Sequence, residues 1–260
     1  MNPLWIPQLC GGVVGPSFTP ADFFVGDYTG DEWDPNVTAK LWTDAGITQV
    51  ASDGDVTGRW TGNVNANQFN QTTAGSKPTW QTAELNGYPV VRGDGTDDFM
   101  SHASFVIDQT LPCTVLAIAK QSAVDDEVIV ATYSSGGDIY KFHSNAGAQE
   151  FRGFAPLQDK AAAGATVWGL YAVKIDAVIA ANSTTSVWVN GGSASVSASG
   201  ARIAQDGALT LFALPGGGSQ NFGGDLAHLV IVNKSLSLTE LNNYKTWANA
   251  RFGLSCSTFV

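Results

Sequence analysis

Val90–Met100 reads VVRGDGTDDFM, and it holds three aspartates, an Arg-Gly-Asp triplet and two glycines within eleven positions. Just upstream and into it, Tyr88, Val90 and Arg92 alternate with Pro89 and Val91, the period-2 pattern of a strand with two unlike faces. Asp94-Gly95 then supplies residues that tolerate a tight turn, and Phe99 returns apolar character as the chain re-enters a core. Asp94, Asp97 and Asp98 are expected to accept hydrogen bonds from the turn's own backbone. Two functional readings compete with this structural one. Clustered carboxylates at Asp97 and Asp98 suit a hard cation such as calcium, although their spacing is not that of an EF-hand loop. The Arg-Gly-Asp triplet is a three-letter adhesion match of low specificity.

Outward from this stretch the same grammar repeats. DFFVG, VTGRW, YPVVR, DFMSHA, TVLAIAK, EVIVATY, DIYKFH, EFRGFA, VWGLYAVKI, TSVWV, LTLFAL and LAHLVIVN are short extended candidates separated by turn residues, with no βαβ rhythm. That many strands without intervening helices pair mainly antiparallel and fill two stacked sheets better than one open sheet. Asn190-Gly191 after TSVWV is a hairpin-turn pair, because both residues tolerate positive φ. One helix is expected over 238–252. Ser237 and Glu240 have capping-box spacing, Gly253 suits a left-handed C-cap, and Leu241, Tyr244, Ala248 and Phe252 share one face. Residues 1–20 are rich in Pro and Gly and lack periodicity, which predicts an extended arm whose Trp5, Ile6 and Leu9 are apolar enough for attachment to a neighbour. Residues 21–260 show no linker and are read as one all-β domain.

The 260 residues carry 13 basic and 23 acidic side chains, a formal net charge of −10, which disfavours nucleic acid and anionic lipid as partners. Neither a basic, apolar leader nor a membrane-length apolar run stands in the sequence, so a protein made in the cytoplasm without a signal peptide is expected. Three cysteines form no CxxC pair; Cys10 and Cys256 can meet if the termini are adjacent.

KLWTDAGITQVASDGDVTGRW (Lys40–Trp60), KPTWQTAELNGYPVVRGDGTDDFM (Lys77–Met100), TVLAIAK and GDLAHLVIVNKSLSLTELNNYKTWANARFGL (Gly224–Leu254) together resemble the laminin-G-like, concanavalin A-like modules of bacterial surface proteins and phage structural proteins. The resemblance implies a two-sheet antiparallel jelly-roll sandwich whose members bind glycans or proteins and sometimes calcium, with some distant relatives that hydrolyse glycosides. Fold alone does not choose among these functions.

The residues narrow the choice. The E-x-D-x-x-E pattern of related glucanases is absent, His102, His143 and His228 lack metal-ligand spacing, and neither a GxSxG elbow nor a P-loop is present. These absences predict a protein that is not an enzyme, with a hydrolase built on Glu127 or Glu150 as a third reading. Trp33 and Trp80 lie among polar residues and are expected to be exposed, whereas Trp60, Trp168 and Trp188 are expected between the sheets. Trp33 and Trp80, with Tyr133, Tyr140 and His143 around a Gly-rich turn, are the candidate glycan-binding residues. The resulting expectation is a virion-surface component of a phage capsid or tail, presenting a lectin-like module to other virion proteins, to further copies of itself or to a host-surface glycan. The alternative is a free carbohydrate-binding module.

Overall fold

A computed structural model describes residues 18–26, 28–103, 112–123, 125–132, 140–145, 148–153, 159–161, 166–176, 183–199, 208–216 and 220–260. Numbered in chain order, the first sheet contains β1 (Gly30–Trp33), β5 (Thr79–Ala83), β6 (Gly87–Asp94), β8 (Cys113–Gln121), β13 (Gly169–Ile175), β14 (Ser183–Val189), β15 (Ser195–Ser199) and β17 (Gly223–Val232). The second contains β2 (Leu41–Trp42), β3 (Arg59–Thr61), β4 (Gln68–Asn70), β7 (Met100–His102), β9 (Glu127–Thr132), β10 (Tyr140–Asn145), β11 (Ala148–Gly153), β12 (Asp159–Ala161) and β16 (Leu209–Leu211). The first runs β15-β14-β13-β8-β17-β6-β5 and the second β12-β11-β10-β9-β16-β7-β4-β3-β2. Pairing between these strands is antiparallel, as the missing crossover helices require.

β17 organises the first sheet. One edge pairs with β8, while the other pairs with β6 at Gly223–Leu226 and with β1 at Leu229–Val232. Inward-facing Val91, Val115, Ala117, Val173, Leu229 and Ile231 meet Trp60, Phe69, Met100, Ile129, Leu209 and Leu211 of the second sheet. Outward-facing Leu116, Ile118, Leu170, Ala172, Val230 and Val232 meet α1 (Leu238–Phe252), the one α-helix among the described residues, through Leu241, Tyr244, Ala248 and Phe252. Burial on both faces explains why β8 and β17 read as nearly continuous apolar runs. Each large aliphatic side chain so buried contributes roughly 1.5–3 kcal/mol.

The helix begins and ends where its caps place it. Ser237 Oγ accepts the Glu240 N–H at 3.3 Å, Glu240 Oε2 accepts the Ser237 N–H at 2.8 Å, and Gly253 sits at φ 66° with its N–H on Asn249 O. The Asn190-Gly191 turn also has positive φ at both residues, but it does more than join β14 to β15. Asn190 O accepts the Ser257 N–H, and Gly192 forms a parallel bridge with Phe259, so the turn anchors the C-terminal tail.

Four local expectations need correction. DFFVG is not a strand: Pro20–Phe24 forms a 3-10 turn, with Pro20 at the first position and Asp22 Oδ2 accepting the Thr19 N–H at 2.8 Å. Phe99 stays half-buried while Met100 enters the core. Trp188 packs outside the first sheet against Phe259, at 5.7 Å between ring centroids, because its strand face is covered by the tail rather than by the second sheet. Trp168 likewise lies half-buried on that outer face. Trp5, Ile6, Leu9 and Cys10 lie outside the described residues; Cys256 is buried, its Sγ is 3.6 Å from Asn190 Oδ1, and burial pushes its thiol up to about 11.

Candidate functional site

Beyond the helix, the outer face of the first sheet carries a row of charge. Arg92 follows inward-facing Val91, Asp225 precedes inward-facing Leu226, and Lys120 follows inward-facing Ala119, so strict alternation turns all three outward. Antiparallel register then sets Asp225 directly opposite both Arg92 and Lys120. Asp225 is 1% exposed, and its carboxylate is clamped from both sides: Arg92 Nε lies 2.5 Å from Oδ1 and Lys120 Nζ 2.9 Å from Oδ2. A second Arg92 nitrogen pairs with Glu84 at 3.1 Å. The hydrogen bond to Asp225 holds the Arg92 guanidinium above its usual range, a burial effect opposing it.

This row borders a cavity of about 500 Å³ lined by Arg92, Asp94, Lys120, Ser122, Thr166 and Asp225. Lys120 Nζ stands 5.1 Å from the centroid of the Trp168 ring, because Gly169 pairs with Ala119 and so brings Trp168 beside Lys120. Close strand approach forms the floor. A Cβ on Gly93 would fall 2.3 Å from Phe222 O, and one on Gly224 2.3 Å from Lys120 O. The Arg-Gly-Asp triplet is thereby consumed internally: Arg92 serves Asp225, Gly93 permits the approach, and Asp94 shapes the turn.

That turn forms as its sequence predicts. Asp94 Oδ1 accepts the N–H groups of Thr96, Asp97 and Asp98, and Asp98 Oδ2 accepts that of Asp94. Asp97 Oδ2 accepts from Ser76 Oγ at 3.2 Å. Asp94, Asp97 and Asp98 offer ligand oxygens within 4.8 Å of one another, and the second oxygen of each has no protein hydrogen bond among the described residues. Burial, with Asp94 and Asp97 adding like charge, pushes Asp98 up to about 6. Such a donor set fits a hard divalent cation.

Close behind the cavity wall, Glu127 starts β9 and is 6% exposed. It takes hydrogen bonds from Gly223 and Gln121, yet its Oε2 has no hydrogen-bond partner among the described residues, and burial raises its pKa to about 7. The carboxyl therefore keeps a substantial protonated fraction at neutral pH. Nothing in the sequence around Glu127 points to that state, since its cause is the fold around it.

A second buried network lies under α1. His228 Nε2 is 2.9 Å from Glu32 Oε1 and His228 Nδ1 is 2.9 Å from Tyr244 Oη, while Arg251 pairs with Asp34 at 2.7 Å. Burial raises the Glu32 pKa, but the hydrogen bond and charge of His228, with smaller contributions from Asn63 and Arg251, outweigh it and leave the carboxyl below its usual range. Glu32, Asp34 and His228 are close enough to hold a metal. Their protein partners instead make the cluster a closed polar bridge between β1, β17 and the helix.

The aromatic prediction fails at two positions. Trp33 is fully buried, 4.9 Å from Phe69 between ring centroids, and its Nε1 donates to Asn67 O. Trp80 is 7% exposed and its Nε1 donates to Pro35 O at 3.0 Å. Polar neighbours in sequence misled because those neighbours occupy the opposite strand faces and loops. Tyr133 lies outside the described residues; Tyr140, His143 and Glu150 sit on β10 and β11, whose side chains are likewise not described.

No family model matches the sequence, and no curated protein does, so the laminin-G-like resemblance gains no support at sequence level. Solved structures do match in fold. A GH54 α-L-arabinofuranosidase superposes with a TM-score of 0.60 at 14% identity, covering 88% of this chain and 64% of that one. A Trypanosoma rangeli sialidase in complex with the inhibitor DANA gives 0.50 at 11% identity, covering 75% and 31%. The receptor-binding domain of a botulinum neurotoxin C/D mosaic serotype gives 0.50 at 12%, covering 74% and 51%. The chain thus spans less than two thirds of each. None of the three is a virion component. The expectation that this protein is not an enzyme is overturned by the first two: glycan-cleaving enzymes share its fold, so a missing E-x-D-x-x-E pattern is no ground for excluding such chemistry. At these identities the likeness establishes the two-sheet antiparallel sandwich and nothing finer.

Proposed function

We propose that the protein is a carbohydrate-binding β-sandwich that takes glycan in the outer-face cavity. The supporting observation is the clamp on Asp225, which holds Arg92 and Lys120 at the cavity edge with their remaining N–H groups available and Trp168 alongside. Fixed polar groups of this kind recognise sugar hydroxyls; the Trp168 ring stands beside Lys120, outside the cavity lining. Titration of the purified protein with oligosaccharides by calorimetry tests this reading. Lys120→Met is expected to weaken binding about tenfold, equivalent to about 1.4 kcal/mol, and to lower the melting temperature as well, because it leaves one oxygen of buried Asp225 without its cation, so the titration is run well below the unfolding transition. An unchanged affinity moves the site elsewhere.

The Asp94, Asp97 and Asp98 turn is proposed to hold calcium, as the donor set supports. Millimolar calcium should then raise the melting temperature, by mass action on the folded state. A flat titration removes the cation.

A hydrolytic reading rests on Glu127, whose retained proton is what a general acid for glycoside cleavage requires. Reducing-sugar release from arabinan or xylan that vanishes in Glu127→Gln supports it; release unaffected by that change, or none at all, dismisses Glu127 from the role.

A further inference from the structure

Resting on the glycan-binding reading, we infer that the cavity selects uncharged sugars and discriminates against carboxylated or sulfated ones, because buried Asp225 claims both of its cations. Arg92 and Lys120 look at first like an anion clamp. Their geometry says otherwise. Each oxygen of Asp225 is matched to one of them, and Glu84 engages a second nitrogen of Arg92. Asp225 and Glu84 thus balance Arg92 and Lys120 charge for charge, without counting Asp94, which the cation proposed for its turn engages. The local field therefore offers no attraction to an incoming anion, and the net charge of −10 repels it further.

Reassignment of either cation is obstructed by burial. An anionic ligand that drew Lys120 or Arg92 away would leave Asp225, 1% exposed, short of a partner. A buried carboxylate stripped of its ion pair is costly, more so than the bond gained at a partly exposed cation. A neutral hydroxyl makes no such demand. It accepts an N–H that Asp225 does not use and donates to Asp94, Ser122 or Thr166, so the clamp stays intact. Asp225 is thus a specificity-determining residue that acts through its neighbours.

The experiment compares arabinan- and xylan-derived oligosaccharides with oligogalacturonate and a sulfated oligosaccharide, by calorimetry at 50 and 500 mM NaCl. Expected is binding of a neutral ligand that changes less than twofold with salt, and at least tenfold weaker binding of both acidic ligands. Asp225→Asn keeps the shape and releases the cations, so it should strengthen the acidic ligands by tenfold or more, in a salt-sensitive manner. The wild-type salt series decides the matter even if that variant folds poorly. Acidic ligands that bind the wild type as well as neutral ones overturn the inference while leaving the glycan reading intact; no binding by any of the four overturns both.

Discussion

The two halves of the first sheet's outer face carry similar chemistry under different cover. Beneath α1, Glu32, His228 and Tyr244 form one hydrogen-bonded chain and Asp34 with Arg251 another, all buried apart from the arginine. Past the helix, Asp225 is buried just as deeply, but Arg92 and Lys120 are about a third exposed and border a cavity. Sealed charges have nowhere to turn when a partner is lost, so the covered half ties the helix to the sheet. Open cations can exchange a protein partner for water or ligand. The same residue types thus contribute specificity of packing in one half and a binding surface in the other.

Breaking the covered half should produce the largest effect. Arg251→Met strands Asp34 and is expected to cost about 3–5 kcal/mol in denaturant unfolding, with glycan affinity unchanged in the fraction that remains folded. Adding Asp34→Asn should recover much of the loss. If the single change costs no more than a surface substitution, the distinction between sealed and open networks fails.

Glu127 sharpens the contrast, being a buried carboxyl with no cation paired to it among the described residues. Its folded pKa of about 7 lies above the ordinary glutamate value of 4.5, so the folded state binds more protons between those limits. Its contribution is full below about pH 4.5 and is lost as pH rises to about 7. Glu127→Gln should therefore match the wild type near pH 4.5 and exceed it by roughly 3 kcal/mol at pH 8. Glu32 runs the other way: its lowered pKa makes its contribution present above about 4.5 and lost as the solution is acidified through the folded value.

In the open half, Asp225→Asn should cost about 1 kcal/mol, because both cations regain water. A loss as large as that of Arg251→Met would show the row to be structural. Smallest of all, Ser237→Ala removes the helix cap and is expected to cost about 0.5–1 kcal/mol, with no effect on ligand titration.

Local chemistry was legible wherever its causes are local. The helix bounds follow from Ser237, Glu240 and Gly253, and the Asp94 turn from side chains that bond backbone two to four residues away. Trp33 and Trp80 were misread because their polar flanks say nothing about the opposite strand face. Arg92, Lys120 and Asp225 were missed for another reason: Arg92 and Asp225 stand 133 residues apart, and no spacing rule links them. A weak signal exists in the sequence, since Lys120 and Asp225 are each the lone Lys, Arg, Asp or Glu within a long apolar strand.

What the amino-acid sequence determined by itself was the alternation that makes two-faced strands, the helix with its ends, and the turn chemistry, all governed by interactions within a few residues. Strand order and register belonged to the tertiary structure, and with them the clamp on Asp225, the proton retained by Glu127 and the burial of Trp33. These arise from which strands become neighbours, and that choice is made by the packing of the whole core rather than by any one segment.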